Sequence, residues 1–160
     1  MALIFKKPDG TFGTKCALCG TPLREPIYAT SHFIGDRAHD LWKYSDAGMH
    51  WNCYAGWEHQ ERFAALYFAA RCEWSTDNRY WQVIFQSDLV FVSYGVAVNE
   101  MSVVLKKSGT DLRVKRETWM EWTQGGWRHD CRHDLEMRSV EEIIPSLRAI
   151  SLPPAKGKPK

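Results

Sequence analysis

With 160 residues, 44% of them hydrophobic and 25% charged, the chain has the size and composition of about one globular domain, which excludes a collagen-like repeat, a pure coiled coil and a wholly disordered chain. The net charge of +2 owes its sign to Lys156, Lys158 and Lys160, and the nearly neutral remainder lacks the basic footprint of a dedicated nucleic-acid binder. Apolar runs such as Leu89 to Val92 are far short of the ~20 residues that a membrane-spanning helix needs, and Lys6 and Lys7 arrive before a signal-peptide core can form, so a cytoplasmic protein without a membrane partner is expected.

In chain order, Lys15 to Gly20 (KCALCG) predicts a tight knuckle, and Pro26 to Phe33 a strand rich in β-branched and aromatic residues. A short helical turn is expected around Ala38 to Tyr44, with Ser45 and Asp46 placed as N-cap residues for the next helix. Met49 to Cys72 then predicts one long helix: it lacks proline, is rich in alanine, and spaces Phe63, Leu66, Tyr67 and Ala70 as a buried stripe. The polar cluster Ser75-Thr76-Asp77-Asn78 ends a Cys/His-rich half and opens a β-rich one.

Past that cluster, Trp81, Val83 and Phe85 alternate with Tyr80, Gln82 and Ile84, and Leu89 to Val98 is a strongly apolar strand. Met101 to Leu105 and Leu112 to Lys115 flank a Ser108-Gly109-Thr110-Asp111 loop, as a hairpin would. Glu117 to Thr123 predicts a short helix ended by Gly125-Gly126, and Val140 to Ile150 a last one interrupted near Pro145. The expected fold class is α+β: a metal-knuckle module whose long helix packs on a three- or four-stranded antiparallel sheet, closed by short C-terminal helices. It divides into a metal-binding subdomain over 1–74, a β-rich subdomain over 75–150 packed on it, and a disordered basic tail over 151–160.

Five cysteines, two of them in a Cys-x2-Cys pair, point to a reducing compartment and a metal site rather than a disulfide framework. Cys16 and Cys19, then His50 and Cys53, present four nitrogen or sulfur donors in two close pairs, and each pair can clasp one edge of a tetrahedron, the first from a knuckle and the second from a helix start. Gly20, directly after the second cysteine, lets the chain turn sharply enough to aim both thiolates inward. This layout resembles a treble-clef zinc finger, and the ligand pairs resemble a LIM-type half-site, over about residues 14 to 72. The interval between the pairs is longer than in LIM modules, and no second half-site is present. The resemblance implies one structural zinc ion held by Cys16, Cys19, His50 and Cys53. His-Me finger nucleases also use treble-clef frames, but only Ser31-His32 stands where their Asp-His strand motif belongs.

A second cluster, His129, Cys131 and His133 within RHDCRHD, would share one face if it lay on a strand; the alternatives are a metal clasp, an activated thiol, and a charged edge strand whose Cys131 points inward. Eight tryptophans exceed what one core plausibly needs, so at least two of Trp119, Trp122 and Trp127 are expected to be partly exposed beside Arg128 as a partner-binding patch; the alternative is a plain helix whose i, i+3 pair Trp119 and Trp122 packs inward. No phosphate loop, nucleophile elbow or spaced carboxylate pair is present. The expectation is a non-enzymatic, zinc-stabilised protein-binding, adaptor or inhibitor protein. The alternatives are a nucleic-acid-binding zinc finger using the bases and aromatics of 113–132, and a nuclease or hydrolase using His129, Cys131 and His133, or His32.

Overall fold

The computed structural model describes residues 4–152. A two-stranded sheet and two helices come first, then a four-stranded antiparallel sheet and a helical C-terminal segment, so the fold is α+β. Most of the expected basic tail, from 153 to 160, lies outside the described residues. Contacts divide the chain into two compact units, Met1–Leu66 and Tyr67–Lys160. The division falls within a helix, and the 75–78 cluster closes that helix ahead of the large sheet.

In the first unit, β1 (Ile27–Ala29) pairs antiparallel with β2 (Gly48–His50), Tyr28 lying opposite Met49. β2 passes directly into α1 (Trp51–Ala55), with His50 as the extended residue that precedes the first turn. The single helix expected over 49–72 is therefore divided. Pairing with β1 claims Met49 and His50, Gly56 closes α1, and α2 (Gln60–Asp77) begins only after a turn at 57–59. Strand pairing and a helix-terminating glycine here outweigh the helix propensity of the intervening residues. Ser45 is likewise not an N-cap: it comes after the 3-10 turn Trp42–Tyr44, fully buried, and donates its hydroxyl to the Trp42 carbonyl at 2.8 Å.

An aromatic cluster fills this unit. Tyr28 and Tyr54 stack with centroids 3.5 Å apart, Trp51 meets Tyr28 edge-on at 5.1 Å, and Phe63 meets Tyr54 at 6.2 Å. Burial pushes the Tyr54 hydroxyl up to about 12, and Gln60 donates to its oxygen at 3.2 Å.

The second unit is built on β3 (Trp81–Gln86), β4 (Val90–Gly95), β5 (Glu100–Leu105) and β6 (Thr110–Lys115), which lie in sequence order, each antiparallel to the next. The alternation in β6 is as expected: Leu112 and Val114 are buried, Arg113 and Lys115 exposed. One face of the sheet, with Val92, Tyr94, Met101, Val103, Leu112 and Val114, packs with Trp119, Trp122, Trp127 and the apolar stripe Val140, Ile143, Ile144 and Leu147. Phe91, Ser93, Ser102 and Val104 on the opposite face are buried as well, and there Arg71 of α2 meets Asp111 at 2.8 Å. Glycine is required at one point on this face. Trp81 lies opposite Gly95, and a Cβ at Gly95 would come within 2.9 Å of the indole, so only the bare backbone lets the ring lie across the strand to reach the Arg113 guanidinium, 4.5 Å from its centroid.

The C-terminal segment departs from expectation in two places. Gly125 and Gly126 do not end a helix: α3 (Trp119–Glu121) runs through a wide π-turn, Trp122–Gly126, into α4 (Trp127–Asp130), with Gly125 at φ 150° absorbing the kink. The last helix, α5 (Asp134–Arg148), starts earlier than expected and continues past Pro145, which sits on the exposed side where water can satisfy the carbonyl that the proline leaves unbonded. Glu136 on its first turn is fully buried and accepts the Arg132 backbone N–H at 2.7 Å and its guanidinium at 3.3 Å, which fixes the entry into the helix.

Candidate metal centre

The knuckle forms because its backbone is bonded on three sides. The Cys16 N–H donates to the Thr21 carbonyl at 2.8 Å, Gly20 N–H returns to the Cys16 carbonyl at 2.9 Å, and Ala17 N–H reaches Gly48 of β2 at 3.0 Å. Gly20 takes φ +73°, the left-handed region where a side chain is disfavoured, so glycine there lets the loop close. The same bonds bring Cys16 and Cys19 over the end of β2, where His50 of β2 and Cys53 of α1 complete the group.

Cys16, Cys19, His50 and Cys53 offer ligand atoms that all lie within 4.8 Å of one another, and this is the single such group of three or more among the described residues. None of the five cysteines is in a disulfide. His50 Nδ1 lies 3.5 Å from Cys19 Sγ and 3.7 Å from Cys53 Sγ. Its Nε2 is 3.1 Å from the Pro22 carbonyl, which can only accept, so the proton belongs on Nε2 and the Nδ1 lone pair faces the sulfurs. Cys16, almost wholly buried, accepts the His50 backbone N–H at 3.4 Å, and Cys19 lies 3.1 Å from the Thr21 hydroxyl.

These contacts tune the sulfurs in opposite directions. Hydrogen bonds from the Thr21 hydroxyl and backbone pull Cys19 down to about 6, whereas burial, with the neighbouring thiols, pushes Cys53 up to about 11. The cluster could hold a metal ion, one of its thiols already disposed to ionise.

The other expected sites are not assembled in that way. His129, Cys131 and His133 do not share a strand face: His129 is exposed on α4, Cys131 is an extended linker residue packed against the second core, and the His133 Nδ1 accepts the Leu135 N–H at 3.1 Å as the N-cap of α5. Burial, reinforced by Glu136 and Asp130, pushes the Cys131 thiol up to about 12. Iodoacetamide at pH 7.5 should therefore leave Cys131 unmodified long after a cysteine in a free peptide has reacted, with labelling rising only in strong alkali; mass spectrometry after timed quenching reads this, and rapid neutral labelling would mean an activated thiolate. His32 Nδ1 lies 3.0 Å from the Ser45 hydroxyl. That hydroxyl gives its one proton to the Trp42 carbonyl, so His32 acts as donor in the pair.

Trp119, Trp122 and Trp127 are a correction. They are 1%, 4% and 1% exposed, and the partly exposed patch expected of them does not exist: Trp119 and Trp122 stack at 5.6 Å, and the Trp122 Nε1 donates to Asp130 at 2.9 Å. Their spacing makes them the inner side of the α3-to-α4 segment, and no ring face is left for a partner or a base. Arg128 alone is exposed, its guanidinium 4.3 Å from the Trp127 centroid. The large apolar side chains that do reach solvent in the second unit include Trp74, Tyr80 and Val83; of these, sequence alone placed Tyr80 and Val83 in an alternating strand and gave Trp74 no element. No helix among the described residues is long and apolar enough to cross a membrane.

No protein-family model, curated protein or solved structure matches the chain.

Proposed function

We propose that the chain is a zinc-stabilised, non-enzymatic protein-binding module, with one zinc ion held by Cys16, Cys19, His50 and Cys53 in a treble-clef-like, LIM-type half-site. The observation that carries this reading is the setting of His50, whose Nδ1 is presented to the sulfurs while Nε2 is tied to the Pro22 carbonyl, the outer-shell arrangement that orients metal-bound histidines. In a tetrahedron with zinc–sulfur and zinc–nitrogen bonds of about 2.3 and 2.0 Å, nitrogen and sulfur donors are separated by roughly 3.5 Å. The separations of 3.5 and 3.7 Å from His50 need little adjustment to fit.

Three thiolates and an imidazole suit zinc better than the oxygen-preferring cations. Four donors close the coordination sphere, which assigns the ion to holding the knuckle, β2 and α1 together rather than to activating water. Cys131 as a protonated core thiol, with no activating base, agrees with a binding rather than a catalytic protein. The set of unpaired thiols fits a reducing compartment such as the cytoplasm. Elemental analysis of protein purified from zinc-supplemented medium is expected to find about one zinc per chain, and cobalt exchange to give the sulfur-to-metal charge-transfer band of a tetrahedral thiolate site. Protein that is folded and metal-free, or that binds cobalt without such a band, would refute the assignment.

A further inference from the structure

The first unit holds two adjoining clefts beside the knuckle. One, of about 470 Å³, has the buried Leu23 at its base, Phe12 and Pro22 among its walls, and the exposed Lys6 and Arg24 on its rim. The other, of about 360 Å³, is lined by Pro26, Trp51 and Asn52 among others. Arg24 and Glu25 line both, so an extended chain laid across these two residues would lie in both clefts, a span that a compact small molecule does not cover. The backbone on either side of them is engaged: the Leu23 N–H donates to the Thr14 carbonyl at 2.9 Å and the Pro26 carbonyl accepts from Trp51 at 3.2 Å. Among the described residues, none hydrogen-bonds the backbone N–H or C=O of Arg24 or Glu25.

The charges of this region leave one group over. Residues 4–26 carry Lys6, Lys7, Lys15 and Arg24 against Asp9 and Glu25. Asp9 is taken up by its own turn, accepting the Thr11 N–H at 2.9 Å and hydroxyl at 2.6 Å, and Glu25 lies 3.6 Å from Lys6. Trp51 and Asn52, which α1 adds to the second cleft, are uncharged. Arg24 therefore has no acidic partner among the described residues, and its planar guanidinium matches a carboxylate. Stacking of a nucleobase is poorly served: the Lys6 ammonium lies 5.3 Å over the Phe12 ring centroid, and Trp51 is buried. Three thiolates around a divalent ion would be net negative beyond the second cleft, which places an acidic group of any ligand at the Leu23 end.

We propose that these clefts bind an extended segment of a partner protein in which a large apolar residue stands next to a carboxylate. The apolar side chain enters the cleft over Leu23, the carboxylate meets Arg24, and the main chain bonds the backbone groups of Arg24 and Glu25. This rests on the protein-binding reading and names the partner's chemistry; backbone bonds of this kind give affinity, and a pocket with one placed charge gives specificity.

The test is a titration of the zinc-loaded, 15N-labelled full chain with four probes: an octapeptide centred on Phe-Asp-Glu, its Phe-Lys-Lys and Ala-Asp-Glu counterparts, and a twelve-residue oligothymidylate. The first should bind, shifting the amides of Arg24 and Glu25 most. Each altered peptide should bind about tenfold or more weakly, as loss of a charge-assisted contact or of a buried apolar side chain does. Arg24→Glu should weaken the first peptide by a similar factor and Arg24→Lys by less, with unchanged shifts over residues 27–56 of the free variants confirming that the unit is intact. Equal binding of the three peptides, or shifts centred away from Arg24, would overturn the assignment and leave protein recognition standing. Failure of every peptide would overturn the assignment alone, whereas binding of the oligothymidylate in their place would remove the protein-binding reading with it. Self-association without peptide, seen by sedimentation and with shifts at Arg24, would make a second copy the occupant and equally overturn the proposal.

Discussion

Replacing Cys16 with serine is expected to abolish metal binding and to unfold the segment from the knuckle through α1. Cys16 is the member of the cluster that solvent does not reach, at 1% exposure, and it accepts the His50 N–H, so its sulfur would serve both a bound ion and the junction of β2 with α1. Structural zinc contributes about 10–16 kcal/mol of apparent binding free energy in finger peptides at neutral pH, comparable to the whole ~5–15 kcal/mol stability of a domain. Losing even half of it exceeds what the small two-stranded sheet can replace. The measurement is metal content with hydrogen exchange over residues 14–56, and Cys72→Ser, at a cysteine outside the cluster, is the control that should retain the metal. Binding should also depend on pH with a definite sign. Cys53, pushed up to about 11, holds its proton at pH 7 until the ion displaces it, so binding releases protons and tightens as pH rises. Full protection in the serine variant, or affinity indifferent to pH, would show that the four side chains are not ligands.

Trp127→Ala should destabilise the second unit by about 3–5 kcal/mol, the range for emptying a large aromatic site in a packed core. Trp127 is 1% exposed, comes directly after the kink at Gly125, and joins α4 to a cluster shared with the sheet and α5, so neither backbone nor neighbours can readily close the void. The comparison is Trp74→Ala, at 44% exposure, expected within about 0.5 kcal/mol of the parent as for surface changes away from special features. Urea unfolding monitored by far-UV circular dichroism should move the midpoint of the first variant at nearly constant slope. Equal effects of the two substitutions would contradict the burial on which the second core is described.

The cluster that could hold a metal ion was legible because metal chemistry favours both residue type and spacing: Cys-x2-Cys and His-x2-Cys survive any error about the chain between them, and the four side chains do come together. The strands were legible for a similar reason, since period-two burial in Thr110–Lys115 is a direct result of the pleat. Competition between partners is beyond any local pattern. Met49 and His50 fit a helix as well as a strand until β1 is present to pair with them. RHDCRHD alternates like a strand, yet Asp130 accepts from the Trp122 indole and His133 accepts the Leu135 backbone N–H to cap α5, roles set by the neighbouring helices rather than by the alternation. The tryptophans misled in another way. Composition says that they are many but not where their rings point, and the i, i+3 spacing of Trp119 and Trp122 marked the buried side rather than an exposed one.

The strand order of the large sheet also bears on how quickly each part of the chain can form. β3 to β6 pair only with their neighbours in sequence, through turns at 87–89, 96–99 and 106–109, so their contacts are of low order and close with little loop entropy. Cys19 and His50 stand 31 positions apart, and bringing them together closes a far longer loop for two side-chain pairs and a three-residue strand pairing. Without an ion to clasp, that closure has little to hold it. On the proposed metal assignment, the first unit should therefore need the ion in order to fold, and the sheet should not.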